Sequence, residues 1–395
     1  MMKRSLSAGL GLLLAIGAVL IAQSQPAKKV DFESLAQKLV KCAAIREGEM
    51  VLISGGPKSL ELLEDVAVAV RQKGGNPMLT FGSDRLTRRL WTEVPEKYDS
   101  QSRDPWVKFA GLFQAQIAVS YNEDSALLAD IPPARLVASG EADKVINDIL
   151  IKNNFRLITL GNGLYPTAQL AQRFGLSKEE LADLFWNAVD VDYGELQGIC
   201  ASVKKALANG KEVRITSPNG TDFRVRIEAR PVLVSDGVIS DEDFRSGYAS
   251  CQVYLPAGEV FLAPVPGTAE GRIVCNRDFF DGQEVRGLTM DFKAGKLVSW
   301  SAPAGFDRAK AIYDAAGPGK EEFGVIDIGV NPKVAEGAGG KVLNFVRSGM
   351  VCIGLGNNIW AGGKNDSIYG LQIYLADQTL AVDGKILVDN GKLVR

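Results

Sequence analysis

Histidine does not occur among the 395 residues. Imidazole is the usual proton carrier near neutral pH and the commonest metal ligand. Its absence excludes Ser-His-Asp and Cys-His nucleophile systems, three-histidine zinc sites and the His-Glu-x-x-His class. Any proton transfer or metal binding falls to carboxylates, thiols, lysines, tyrosines or backbone groups. Cysteine is sparse as well. The five (Cys42, Cys200, Cys251, Cys275, Cys352) are an odd number at wide spacings, whereas a disulfide framework is even and dense. An oxidising compartment permits one bridge, such as Cys251 to Cys275, but spacing does not fix it. Strong charge of either sign is also missing. The net charge is −2 and the basic residues are scattered, so there is no nucleic-acid footprint.

What is present begins with a leader. Lys3 and Arg4 precede the apolar run Leu10 to Ile21, and Ala22-Gln23-Ser24 fits the small-x-small cleavage rule. The run is short for a bilayer span and no aromatic belt flanks it. Residues 1–24 therefore read as a signal peptide, with export to the periplasm or medium and no stable membrane anchor after processing. The remainder is long enough for two domains or three.

Residues 28–205 read as an α/β domain with a parallel sheet. Leu35, Leu39, Val40 and Ala43 have helical spacing within 31–44. The apolar run Met50 to Ile53 is a strand, a helix follows from Ser59 to about Lys73, and Pro77 to Phe81 returns as a second strand. That is a βαβ unit with a right-handed crossover. Further strands are expected at 117–120, 135–138 and 155–160. Ser177 to Glu180 is a capping box opening a helix, and Tyr193 to Ala208 has one apolar face. From about residue 206 the texture changes to strands and glycine turns. Residues 206–395 read as a strand-rich α+β domain.

Ser54 to Ser59 follows a strand and opens a helix, but Leu52 and Pro57 stand where a phosphate loop needs glycine. It reads as an ordinary βα turn. Asn219-Gly220-Thr221-Asp222 reads as Asx-type turn chemistry, with a ligand contact by Thr221 or Asp222 as the alternative. Glu259 follows a Pro-x-Gly bend and precedes the apolar run Val260 to Pro264. It is either a surface charge or a ligand or base aimed into a cleft. Asp327 sits in the middle of an apolar strand. Cys352 precedes the glycine loop Gly354-Leu355-Gly356-Asn357-Asn358.

Taken together, Leu255-Pro256-Ala257-Gly258-Glu259-Val260-Phe261, Phe292 to Lys296, Ile328-Gly329-Val330-Asn331-Pro332 and Gly354 to Asn358 resemble the thermophilic metallo-aminopeptidase family, the aminopeptidase T-like enzymes. Weaker likeness covers nearly the whole mature chain. The resemblance implies the aminopeptidase T-like architecture, a homodimer, and a centre of two divalent ions, zinc or cobalt, that removes N-terminal residues from peptides. It further implies ligands of two glutamates, two histidines and one aspartate.

Carried over by position, the first glutamate is Glu259. The second falls on Val325, with Asp327 two residues on and Glu322 three before. The first histidine falls on Cys352, and the late His-x-Asp pair on Gly370 and Gln372, with Asp366 and Tyr369 nearby. The expectation is an exported aminopeptidase T-like protein whose metal site is dismantled and whose catalysis is weak or absent, holding no metal. One alternative is a single zinc or cobalt ion on Glu259, Asp327 and Cys352, with Glu322 as substitute for Asp327. The other is a non-catalytic homologue that binds a peptide or small molecule or serves as a dimeric structural protein.

Overall fold

The computed structural model describes residues 30–334 and 341–394. The leader expected at residues 1–24 lies outside the described residues. In chain order the strands are β1 (Met50–Gly55), β2 (Asn76–Phe81), β3 (Ala115–Val119), β4 (Arg156–Leu160), β5 (Glu212–Ser217), β6 (Thr221–Arg226), β7 (Leu233–Ser235), β8 (Gln252–Leu255) and β9 (Glu259–Leu262). They continue with β10 (Glu270–Phe280), β11 (Gln283–Lys293), β12 (Lys296–Ser301), β13 (Phe323–Gly329), β14 (Val351–Gly356), β15 (Gly370–Leu375), β16 (Thr379–Val382), β17 (Lys385–Asp389) and β18 (Lys392–Leu393).

The first sheet is parallel, in the order β2-β1-β3-β4-β8, with helices in the connections. The βαβ unit expected from residues 50–81 is there. Its helix is Leu60–Gln72, and β1 pairs with β2 from Met50↔Asn76 to Gly55↔Phe81. The fifth strand, β8, comes from residues 252–255, so this sheet draws on chain well beyond residue 205. Strand order reverses between β1 and β3, where open α/β sheets leave a crevice at the strands' carboxyl ends. Here Tyr121 reaches into that crevice. A Cβ at Gly56 would stand 2.4 Å from the Tyr121 Cβ, and one at Gly82 would stand 2.3 Å from its hydroxyl, so only glycine fits at both turns.

Local signals hold in the helices. Ser177 and Glu180 form a reciprocal capping box for helix Lys178–Val189, and Asp192 caps Tyr193–Ala208 by accepting from the Glu195 N–H. Residues 135–138, expected as a strand, instead belong to helix Pro133–Lys152. Pro133 takes the first helical position, where its missing N–H costs nothing. Leu136-Val137-Ala138 is too short a run to tell strand from helix by periodicity. The turn at 219–222 has the Asx chemistry expected: Asn219 Oδ1 accepts from the Thr221 N–H at 3.1 Å, and Asp222 pairs with Arg214 on the surface.

The other two sheets are antiparallel, in the orders β12-β11-β10-β6-β5-β16-β17-β18 and β15-β14-β13-β9-β7. One face of the latter, carrying Val260, Leu262, Ile326, Ile328 and Ile353, packs into the main core with Val213, Ile215, Phe223 and Ile273. Phe223, Phe292 and Phe323 join the two sheets with ring centroids 4.8–5.4 Å apart. All five cysteines are buried free thiols, so Cys251 and Cys275 are not bridged.

Arg156, at the start of β4, is the bulkiest fully buried side chain. Its guanidinium pairs with Glu49 at 2.5 Å and donates to the Ala43 carbonyl at 3.1 Å. Removing one partner of such a pair strands the other charge out of water. Arg156→Met is therefore expected to destabilise the fold by about 3–5 kcal/mol, read as a lower midpoint in urea unfolding.

Candidate functional site

The order β15-β14-β13-β9-β7 buries β9, β13 and β14 at every residue. Directly opposed residues of antiparallel strands share a face. The register aligns Phe261, Asp327, Cys352 and Tyr374 in one row. Two residues along, Glu259 stands opposite Gly329; two residues the other way, Val325, Gly354 and Gln372 form a further row, with Gly370 beyond. Glu259, Val325, Cys352, Gly370 and Gln372, spread over more than a hundred residues, thus look out from one side of one sheet. Asp327 joins them there. Glu322 does not. It precedes β13, accepts from Asn365 Nδ2 at 3.4 Å, and lines a separate cavity beside Gly319 and Lys364.

The bend before Glu259 is built for close approach. Gly258 has φ +124°, and a Cβ on it would meet the Asn331 backbone N at 2.8 Å. Asn331 is fully buried. It donates to the Ala257 carbonyl at 2.7 Å and to the Ala188 carbonyl at 3.1 Å, tying the bend to helix Lys178–Val189. The Pro-x-Gly and Asn-Pro segments therefore fix where Glu259 sits, whatever Glu259 does.

Glu259 is 2% exposed and Asp327 1%. Glu259 Oε1 accepts from Asn162 Nδ2, a residue of the loop after β4. Neither oxygen of Asp327 has a hydrogen-bond partner, and neither carboxyl has an ion-pair partner among the described residues. Burial pushes the Glu259 carboxyl up to about 8 against the Asn162 hydrogen bond. Burial, and then the neighbouring Glu259 charge, holds Asp327 well above the usual carboxylate range. Cys352 is buried, and loss of hydration keeps its thiol protonated far above the usual range. Burial thus disfavours charge on both acids and on the thiol of this face.

The remaining positions are not donors. Val325 packs in an apolar cluster with Leu233, Phe261, Ala263 and Ala361. Gly370 and Gln372 open onto a cavity of about 480 Å³, also reached by Tyr374, Arg173, Asp278 and Tyr369. Two adjacent divalent ions need several anionic ligands to offset their repulsion. This donor set does not fit them, and among the described residues no group of three or more cysteine, aspartate and glutamate side chains is arranged to hold a metal ion. Sequence reading did not reach Asn162, Arg173, Asp278 or Tyr374. The available signals were weak: the polar Gly161-Asn162-Gly163 turn at a parallel strand's carboxyl end, and Asp278 just before the Phe279-Phe280 pair at a strand end.

The family model described as thermophilic metalloprotease (M29) matches residues 28–318. Among solved structures, the chain is similar to wild-type AmpT from Thermus thermophilus, with 16% identity, a TM-score of 0.69, and coverage of 92% of this chain and 99% of that one. It is also similar to 2,5-dihydroxypyridine dioxygenase from Pseudomonas putida, with 13% identity, a TM-score of 0.55, and coverage of 92% and 96%. No curated protein matches.

Proposed function

Because the chain belongs to the thermophilic metalloprotease (M29) family, we propose that it is an exported, aminopeptidase T-like protein that has kept the scaffold of a metal-dependent peptidase and lost the cleavage chemistry, leaving a cleft that binds rather than hydrolyses. One observation carries this reading. The positions that the resemblance assigns to the family's ligands stand on one sheet face, yet only Glu259 keeps its carboxylate, and it is buried with no lysine or arginine paired to it among the described residues. A site that holds two dications would present several anionic or imidazole ligands to them. Here valine, cysteine, glycine and glutamine stand at the other positions.

The test is metal content and turnover of the processed protein. After incubation with zinc or cobalt and gel filtration, elemental analysis is expected to find well under one ion per chain. Cleavage of leucine p-nitroanilide is expected to match the protein-free control. A full equivalent of either metal together with release of the anilide would overturn the reading. The exported location has its own check: periplasmic or medium fractions are expected to hold the chain shortened at Ser24.

A further inference from the structure

The cavity beside β15 carries more than an absence of ligands. Its volume of about 480 Å³ lies within the range of small-molecule sites. Phe174, Phe279 and Phe345 wall it with aromatic surface. Six polar side chains line it, and the protein's own contacts leave three of them, Arg173, Asp278 and Tyr369, incompletely satisfied. Arg173 is half-buried with its guanidinium 5.0 Å over the Phe279 ring; it donates to Ser125 Oγ and has no ion pair among the described residues. Asp278, 3% exposed, accepts main-chain N–H groups from Phe279 at 2.7 Å and from Tyr374 at 3.0 Å. It lies near enough to Arg173 for their charges to interact, yet the two are not paired. Tyr369 is 6% exposed, and its phenol oxygen has no hydrogen-bond partner.

A half-buried guanidinium without an ion pair calls for an anion, a carboxylate with two free lone pairs calls for a donor, and a buried phenol calls for a polar partner. A cation and an acid held apart in one pocket fit a ligand that carries both charges itself, its ammonium drawing Asp278 into the ionised form. Aromatic walls call for an apolar body. We propose that this cavity binds a zwitterionic α-amino acid with an apolar or aromatic side chain. Arg173 takes its carboxylate, Asp278 its ammonium, Tyr369 Oη a second hydrogen bond to the carboxylate, and the three phenylalanines its side chain. The proposal rests on the binding reading above only in that the cleft receives a ligand; it requires no metal.

The experiment is isothermal titration of the full processed chain in EDTA with L-phenylalanine and L-leucine, and with two truncated analogues, 3-phenylpropanoate (no amine) and phenethylamine (no carboxylate). L-Phenylalanine is expected to bind, and each analogue to bind at least roughly tenfold more weakly. Arg173→Met should abolish binding. Tyr369→Phe, which removes one oxygen and keeps the ring, should weaken it severalfold with an unchanged melting curve. Asp278→Asn should erase the preference for phenylalanine over 3-phenylpropanoate, and so reports on the ammonium contact apart from stability. No heat with either amino acid at about 10 mM, equal binding of 3-phenylpropanoate by the natural chain, or undiminished binding by Tyr369→Phe and Arg173→Met would overturn the proposal. None of these outcomes bears on metal content or anilide cleavage, which test the earlier reading separately.

Discussion

Thermal stability is expected to fall as the pH rises from about 5 to about 8, and the fall should become shallower when Glu259 and Asp327 are replaced by their amides. Both carboxyls have raised folded-state pKa values, because burial favours the uncharged form. In the unfolded chain they ionise near about 4. Through this window the folded state binds more protons than the unfolded state, so stability drops with pH by up to about 1.4 kcal/mol per unit for each such group. It is fully present below the unfolded values and is lost as pH climbs toward about 8, where Glu259 ionises in the fold. Asp278, raised by burial to about 7, adds a share of the same sign that the double variant retains. Calorimetry at pH 5 and pH 8 checks this. Glu259→Gln/Asp327→Asn should melt near the natural chain at pH 5 and above it at pH 8. An equal difference at both pH values would mean that the two acids are ionised in the fold.

Zinc binding is expected to appear when the missing donors are put back. Val325→Glu, Cys352→His, Gly370→His and Gln372→Asp together restore the ligand types of the resembling family around Glu259, at positions the register already places on one face. Without metal this variant should be markedly less stable than the natural chain, since it puts an unpaired acid at the buried Val325 position and breaks the apolar cluster around it. Zinc at about a thousandfold over its Kd should return about 4 kcal/mol through preferential binding to the folded state, and should leave the natural chain unmoved. Thermal shift with and without zinc, plus elemental analysis, checks both halves. A zinc-induced shift in the natural chain, or none in the variant, would contradict the reading that substituted donors are what removed the metal.

Much of the fold is legible in local chemistry. The capping box at Ser177, the apolar face of 193–208, the βαβ unit at 50–81 and the Asx turn at Asn219 each depend on residues within a few positions of one another. The helix over 133–152 is less legible because its residues are only half covered, so no strong periodicity marks it. At the site, the sequence supplies Glu259, Asp327 and Cys352 and the substituted positions around them. It does not supply their setting. Asn162 lies 97 residues from Glu259 and meets it only because the loop after β4 folds over the sheet. Whether Glu259 is a surface charge or a cleft residue is decided by strand order, with β9 flanked by β7 and β13. Arg173, Asp278 and Tyr369 come from a helix, a long hairpin strand and the residue just before β15, and nothing in their spacing announces that they share a cavity.

The origin of β8 constrains how the molecule can come apart. This strand completes the parallel sheet, and after three intervening residues the same chain enters β9 in the interior of another sheet. The Asn331 side chain fastens that short passage to helix Lys178–Val189. Fragments cut near residue 205 would therefore not be two self-sufficient pieces. The first would carry β4 as a naked margin, its backbone N–H and C=O groups open to pairing with other chains. Cooperativity across the whole polypeptide, rather than independent melting of halves, follows from four residues that belong to the first half in space and to the second in sequence.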